Sequence, residues 1–340
     1  ISGLPGPSVQ PETAESWNRH VEGFDVEGLA AQLESVNARY FFIAIGQNSG
    51  YYCSPNKTYE SITGMPGKCS SRDIVADLHE ALSKRRIRLM AYLPSHAPMG
   101  DQQAVKALGF VPRWEFTQWG ARSSDYSQED AAASDERLSK GQRNWESIIR
   151  EWSLRWNSKV SGWWFDGCYY ADRMYRHPDE PNFKSFAAAA RAGNPDSLVA
   201  WNCGVFYPVR PMDAEADYTA GEIDEPSLIE PAGRWVASEQ FHVLSFLGKV
   251  WAGGPIRFSE EEAVAYTKNV TDFGGAFTWD VPFLESGLIR DDALLRLKAI
   301  GHAIEKDRTS PPPKRAAIQA SVKGAGVLAC QEGARADILL

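Results

Sequence analysis

Hydrophobic positions along this chain alternate between helical spacing and short continuous apolar runs. After Asp25, a residue typical of helix N-caps, apolar side chains recur every three or four positions, and residues 39–46 then form one apolar run. A second helical pattern precedes the apolar run at 87–93, and a third, beginning at Asn144, precedes the run at 161–166. Each pair predicts a helix followed by a buried strand.

The same alternation continues through the second half of the chain. Strands are predicted at 198–203, 217–221, 235–241 and 275–280, and helices at 182–192, 259–272 and 290–306. Apolar strands that alternate with helices are typical of a parallel sheet covered by helices. We therefore expect an α/β fold.

Two parallel architectures fit this order of elements, an open doubly wound sheet and a closed (β/α)8 barrel. Polar and aromatic residues follow most of the predicted strands, and a barrel brings all those strand ends to one rim. This clustering favours a (β/α)8 TIM-type barrel over residues 1–309. Only seven strands are evident, so the barrel is expected to lack its first strand or to have it truncated; that strand would have to precede or include residues 1–11. Residues 310–340 are predicted to be a disordered tail or a fragment of a C-terminal segment.

Charge and composition argue against several classes of partner. The 340 residues carry 36 basic and 44 acidic side chains, a formal net charge of -8, and the longest basic block is Lys84–Arg86. Nucleic-acid-binding proteins usually concentrate basic residues, so no nucleic-acid partner is expected. Apolar runs such as 40–46 are far shorter than the roughly 20 residues that cross a bilayer, so no membrane-spanning helix is expected. The 12 Trp, 12 Tyr and 15 Phe residues suit amphipathic ligands such as sugars.

Histidine and cysteine spacing gives no pattern for a metal or a cofactor, and none is predicted. The six histidines include no His-x-His or His-Glu-x-x-His arrangement, and the five cysteines include no Cys-x-x-Cys pair. Cys53 and Cys69 bracket a polar loop, which predicts a disulfide between them, and glycosylation sequons begin at Asn56 and Asn269. Together these features predict a secreted glycoprotein whose signal peptide, if there is one, has been removed or is left out of this sequence.

The sharpest chemical signal is a carboxylate at the end of a bulky apolar strand. The segment Gly162–Gly167 reads Gly-Trp-Trp-Phe-Asp-Gly, which places Asp166 at the strand end with aromatic rings beside it. Such a carboxylate is suited to attack on the anomeric carbon of a sugar. The alternative is an aspartate that only caps the following loop or helix.

Here the sequence resembles the α-L-fucosidase family, glycoside hydrolase family 29. In that family a Trp-Phe-Asp-Gly strand end carries the catalytic nucleophile, which the resemblance assigns to Asp166. The similar region spans roughly residues 15–306: residues 24–40 resemble the family's Phe-Asp-helix-strand segment, and residues 274–300 its closing strand and helix. Residues 1–6 resemble the loop after the family's first strand, which agrees with a barrel lacking that strand.

The sugar-binding loop departs from the family pattern. Where the family has Lys-His-His-Asp-Gly-Phe after its second strand, this chain has Gly-Gln-Asn-Ser-Gly-Tyr at 46–51. Gln47 and Asn48 can still exchange hydrogen bonds with hydroxyl groups, although they carry no titratable ring. We therefore expect a sugar pocket for a neutral deoxy or pentose-like sugar, with strict L-fucose recognition in question.

A retaining glycosidase needs a second carboxyl group that protonates the leaving oxygen. The candidates are Glu215, Glu222, Glu225, Glu230 and Glu239. Residues 217–222 resemble the family's Asp-aromatic-Thr-Pro-Glu segment, with Gly221 in place of the proline. Glu222 is therefore the first choice for the acid/base and Glu225 the second, against the alternative of a solvated acidic loop.

The remaining candidates are sugar contacts. Asn202 resembles the asparagine that closes the family's fifth strand. Aromatic walls are expected from Tyr51, Trp164, Trp201 and Trp279, and hydroxyl contacts from His96 and Asp280.

These residues predict an exo-acting, retaining, α-L-fucosidase-like glycoside hydrolase that acts on an oligosaccharide or glycoconjugate. The alternative is a non-catalytic carbohydrate-binding protein on the same barrel. The sequence predicts no oligomeric state.

Overall fold

A computed structural model describes the chain over residues 13–96, 98–111, 135, 137–169, 171–230 and 233–309. The expectations for a strand within residues 1–11 and for the tail at 310–340 lie outside these ranges. No helix in the described ranges is both long enough and apolar enough to cross a membrane.

Helices and strands follow one another largely as the hydrophobic pattern predicts. The helices are α1 (Ala14–Glu22), α2 (Val26–Ser35), α3 (Lys57–Thr63), α4 (Ile74–Ser83), α5 (Gln102–Leu108), α6 (Ser139–Trp156), α7 (Ala171–Met174), α8 (Phe183–Ala190), α9 (Glu260–Thr271) and α10 (Asp291–Thr309). The strands are β1 (Tyr40–Ala44), β2 (Arg88–Pro94), β3 (Gly162–Asp166), β4 (Leu198–Trp201), β5 (Trp235–Val236), β6 (Glu239–Gln240), β7 (His242–Phe246), β8 (Gly248–Val250), β9 (Gly253–Ile256) and β10 (Ala276–Asp280).

Local capping chemistry explains several helix starts. The Asp25 side chain accepts a hydrogen bond from the Gly28 backbone N–H at the start of α2, as the sequence predicts. Helix α6 begins at Ser139, five residues before the predicted start at Asn144, whose side chain instead donates to the Leu108 carbonyl.

Strands β1 to β4 form a parallel sheet in sequence order. Their register places Tyr92 of β2 opposite Trp164 of β3, and Trp164 opposite Ala200 of β4. Because side chains alternate across a strand, these three residues face the same side of the sheet. In-register pairing also brings the carboxyl ends of the strands to one edge.

The second half of the sheet differs from the predicted strands in two places. The segment predicted as a strand at 217–221 forms only isolated parallel bridges to β6 and β7, at Tyr218 and Glu222. Gly221 has φ +63°, and its carbon lies so close to the His242 carbonyl that a β-carbon would clash. The strand predicted at 235–241 is a short β5–β6 hairpin, and the parallel strand is β7, which pairs with β10.

One apolar cluster contains a residue from every parallel segment of the sheet. It consists of Phe42, Met90, Trp164, Leu198, Ala200, Tyr218, Ala220, Leu244 and Ala276. A larger cluster holds the opposite faces of β1 to β4 against the helices, through residues such as Phe41, Leu89, Trp163 and Val199. The sheet therefore curves around its own inner core and is covered by helices outside.

A closed barrel is not shown by the described hydrogen bonds, which leave β10 and β1 in separate sheets. The Tyr40 hydroxyl donates to the Phe277 carbonyl at 3.0 Å, and a cavity of about 430 Å³ lies between these strands and α10. The fold is thus an α/β fold with a curved parallel sheet.

The predicted disulfide between Cys53 and Cys69 is absent, and both buried thiols are free. Tyr52 pairs with Cys69 in a parallel bridge, so Cys53 is one residue out of register. Successive side chains on an extended segment point to opposite faces, and the Cys53 sulfur lies 3.7 Å from the Ala44 carbonyl. Backbone hydrogen bonds to Tyr52 hold this loop in place of the expected disulfide.

Glycosylation of the first sequon is also incompatible with the fold. Asn56 is 1% exposed; its side-chain oxygen accepts from the Tyr59 N–H at the start of α3, and its amide nitrogen donates to the Ile148 carbonyl at 2.9 Å. The amide nitrogen that a glycan would modify is therefore inaccessible. The amide nitrogen of Asn269 likewise donates to the Ile229 carbonyl, at 3.0 Å.

Candidate active site

Asp166 is the last residue of β3, at the carboxyl edge of the sheet. One oxygen of its half-buried carboxylate accepts a hydrogen bond from the Tyr92 hydroxyl at 2.5 Å, and the other accepts from the amide nitrogen of Asn202 at 2.9 Å. Both carboxyl oxygens are therefore engaged, and the site holds the Asp166 carboxyl group in one orientation.

Tyr92 is a site residue that the sequence analysis missed. Its ring stacks on Trp164, with centroids 5.2 Å apart and an interplanar angle of 18°. The Gln47 side-chain nitrogen donates to the Tyr92 hydroxyl, and the Gln47 oxygen accepts from the Asn48 N–H, which fixes the amide orientation. Because an amide nitrogen only donates, the tyrosine proton is directed to Asp166. The only signal for Tyr92 was its inward position near the end of β2.

Glu222 lies on the neighbouring part of the rim, where it bridges to Leu244 of β7. Removal of its carboxyl group from water, together with the nearby charge of Asp166, raises the pKa of Glu222 to about 7. A carboxyl group with this pKa is half protonated near neutral pH, as a general acid should be.

Asn202 holds the two carboxyl groups in one arrangement. Its side-chain oxygen accepts from the Gly204 N–H, which fixes the amide orientation, and its nitrogen donates to both Asp166 and Glu222. Two hydrogen bonds from one nitrogen place the carboxylate oxygens within roughly 6 Å of each other. This upper limit is compatible with the roughly 5 to 5.5 Å separation typical of retaining glycosidases.

The other glutamates predicted as candidates lie farther from Asp166. Glu225 has an exposed side chain, 4.0 Å from the Arg257 guanidinium. Glu215 faces Arg191 at 3.9 Å, and Glu239 accepts from the Ser238 hydroxyl at 2.8 Å. Glu230 is exposed on the surface. Of these glutamates, Glu222 shares the Asn202 amide donor with Asp166.

The polar residues predicted as sugar contacts lie at strand ends. Gln47 and Asn48 follow β1, and the Asn48 carbonyl accepts from the Gly100 N–H at 2.8 Å. His96 follows β2, is buried and lies beside Gly167. Asp280 ends β10, and its carboxylate accepts from the Ala252 N–H.

The predicted aromatic walls are mostly packed inside the protein. Trp164 belongs to the inner core beneath Tyr92, and its N–H donates to the Ala220 carbonyl at 3.0 Å. Tyr51, Trp201 and Trp279 belong to the layer between sheet and helices, and the Trp279 N–H donates to a threonine hydroxyl of α9. Trp201 and Trp279 lie on the faces of β4 and β10 that pack against the helices, so neither ring lines the inner side of the sheet.

Tyr169 is a further residue that the sequence analysis missed. It lies beside Gly204, and burial followed by the charges of Asp166 and Glu222 raises the pKa of its hydroxyl. The ring is therefore close to both carboxyl groups. Among the residues that the structure describes, no group of three or more His, Cys, Asp or Glu side chains could hold a metal ion.

Comparisons with known proteins show a shared fold. No protein-family model and no curated protein matches the sequence. Among solved structures, the chain is similar to the endo-fucoidan hydrolase MfFcnA4 from glycoside hydrolase family 107, with a TM-score of 0.67 and 17% identity. That match covers 88% of this chain and 52% of the hydrolase, so this chain spans about half of its length.

Two further solved structures are matched over most of their length. The endo-fucoidan hydrolase P5AFcnA, also from family 107, gives a TM-score of 0.63 at 15% identity, covering 84% of this chain and 86% of that one. The α-L-fucosidase AlfC from Lactobacillus casei, in complex with its α-L-fucose product, gives 0.60 at 15% identity, covering 87% and 85%. At such identities the likeness establishes the fold, which this chain shares with glycoside hydrolases of both kinds and which does not single out family 29.

Proposed function

We propose that this protein is an exo-acting, retaining, α-L-fucosidase-like glycoside hydrolase. The observation that carries the proposal is the Asn202 side chain, whose single amide nitrogen donates to the carboxyl groups of both Asp166 and Glu222. Two carboxyl groups so close together, one held by hydrogen bonds to both of its oxygens and the other with a pKa raised to about 7, suit a double displacement.

In this mechanism the two carboxyl groups have different roles. Asp166 attacks the anomeric carbon and forms a glycosyl ester, while Glu222 donates its proton to the leaving oxygen. The Glu222 carboxylate then removes a proton from water, which attacks the anomeric carbon, breaks its bond to the Asp166 oxygen and releases the sugar with retained configuration. Tyr92 and Asn202 would hold Asp166 during both steps, because each donates to one of its oxygens.

We further propose that the curved sheet is a (β/α)8 barrel. Seven parallel segments contribute to one inner core, and the remaining strand would lie in the cavity between β10 and β1. In such a barrel the carboxyl ends of all strands meet at one rim. Asp166, Asn202 and Glu222 would therefore meet there, although they come from three separate segments.

The proposed substrate is an oligosaccharide or glycoconjugate with a terminal neutral deoxy sugar, L-fucose being the first choice. The fold shared with an α-L-fucosidase and with endo-fucoidan hydrolases supports fucose. Gln47 and Asn48 add no charge to their part of the rim, which suits a neutral sugar better than a uronic acid.

The test is turnover of a panel of aryl α-L-glycosides and β-D-glycosides, with covalent trapping by 2-deoxy-2-fluoro-α-L-fucosyl fluoride. We expect hydrolysis of the α-L-fucoside and a trapped adduct that peptide mass spectrometry locates on Asp166. An adduct on another residue would refute the assigned nucleophile. No turnover of any member, together with measurable sugar binding, would support a carbohydrate-binding protein instead.

A further inference from the structure

An anchored aromatic side chain lies at the same edge of the sheet as the carboxyl groups. Trp251 is at the tip of the β8–β9 hairpin, is 37% exposed, and packs on the ring of Phe246 at 4.4 Å between centroids. Phe246 is the last residue of β7, so the tryptophan covers the carboxyl end of that strand.

The hairpin tip is held in place by two contacts from neighbouring elements. The Ala252 N–H donates to the carboxylate of Asp280, the last residue of β10, and the Arg290 guanidinium donates to the Gly254 carbonyl at 2.7 Å. An aromatic ring that is fixed before a ligand arrives loses little conformational freedom on binding. Trp251 is thus preorganised at the rim.

The position of Trp251 is on the Glu222 side of the site. Glu222 bridges to Leu244. Phe246 lies two residues farther along the same strand and on the same face, roughly 7 Å from Leu244. The Arg257 guanidinium lies 3.7 Å from the centre of the Phe246 ring and 4.0 Å from the Glu225 carboxylate. The carboxyl edge of the sheet is therefore continuous from Glu222 and Glu225 to Trp251.

We propose that Trp251 forms a binding platform for the leaving-group sugar, the unit on the far side of the bond that is cleaved. This inference rests on the proposed function, because a general acid at Glu222 must face the leaving oxygen. An indole face with a polar edge suits the apolar face of a pyranose ring. Arg257, which lies against the Phe246 ring, faces the carboxylates of Asp224 and Glu225; these offset its charge, so we expect an uncharged sugar here rather than a sulfated or uronic one.

The experiment compares substrates that differ only in the leaving group. α-L-Fucosyl fluoride has no leaving-group surface, whereas 2′-fucosyllactose and 3-fucosyllactose carry neutral sugars there. We expect Trp251→Ala to lower kcat/KM for the better trisaccharide roughly tenfold to hundredfold and to leave the fluoride within about twofold. Trp251→Phe, which keeps a ring, should retain most of the trisaccharide activity.

Trp235→Ala is the matched control. Trp235 is also half exposed, at 44%, but it lies in the β5–β6 hairpin under Arg234, and Arg234 in turn lies beside Gly274 at the amino end of β10. It should not change either activity. Equal losses on fluoride and trisaccharide in Trp251→Ala, or no loss on either, would overturn the platform.

A binding measurement separates failure of the inference from failure of the proposed function. If the wild-type protein does not hydrolyse α-L-fucosyl fluoride, the proposed function is refuted, but the Trp251 platform is not. Calorimetric titration with L-fucose and with the trisaccharides then tests the platform without turnover: tighter trisaccharide binding that Trp251→Ala removes would support it. Equal binding of all three sugars would overturn it.

Discussion

The raised pKa of Glu222 predicts how activity depends on pH. With a pKa of about 7, about half of the Glu222 side chains are protonated at pH 7, against about 0.3% for a carboxyl group at the ordinary 4.5. A general acid must be protonated to act. On the alkaline limb of the pH profile, kcat/KM for fucosyllactose should therefore be constant below pH 7 and fall about tenfold per pH unit above it. The measurement is a kcat/KM profile from pH 5 to pH 9.

Glu222→Gln should remove that limb, because glutamine cannot titrate. We expect a loss of about 10²-fold to 10⁴-fold on sugar leaving groups and a much smaller loss on fucosyl fluoride, which departs without protonation. Glu225→Gln is the matched control, since its exposed carboxylate lies beside Arg257, and it should keep the limb near pH 7. A wild-type limb near pH 4.5, or a limb that persists in Glu222→Gln, would refute the reasoning.

The same pKa has a consequence for stability. The folded protein binds more protons at Glu222 than the unfolded chain between pH 4.5 and about 7, so the free energy of unfolding should fall as the pH rises through that window. At pH 8 the ionised Glu222 should cost about 3 kcal/mol, and Glu222→Gln should recover much of it in urea unfolding. A glutamine variant that is less stable than the wild type at pH 8 would contradict this cause of the raised pKa.

Three further predictions concern other parts of the molecule. Asp166→Gly should lose several orders of magnitude in turnover and be partly rescued by azide, whereas near wild-type activity would contradict the nucleophile assignment. Alkylation in denaturant without reductant, followed by peptide mapping, should label both Cys53 and Cys69, since the structure shows free thiols; an unlabelled pair would contradict it. Asn56→Ala should lower the free energy of unfolding by about 1–3 kcal/mol, because it removes the cap of α3 and the buried side-chain hydrogen bond to the Ile148 carbonyl. An unchanged urea midpoint would show that neither contact matters.

The sequence predicted the apolar strands well because their burial on both faces produces continuous hydrophobic runs. The runs predicted at 39–46, 161–166 and 275–280 contain β1, β3 and β10. The pairing of strands was harder to predict from the sequence than their positions. The segment predicted as a strand at 235–241 is a hairpin, and the parallel strand begins at His242. Both segments are apolar enough to be strands, and only contacts with β10 decide between them.

By itself, the sequence determined the order of helices and strands and the position of Asp166 at a strand end, since both depend on local hydrophobic pattern and chain geometry. The tertiary structure alone decided which side chains meet Asp166. The Tyr92 hydroxyl comes from 74 residues away and the Asn202 amide from 36, and no local pattern encodes such contacts. The same holds for Cys53 and Cys69, where a register offset of one residue turns two neighbouring thiols to opposite faces. Register between distant segments is fixed by packing of the whole core, and the site takes its geometry from that register.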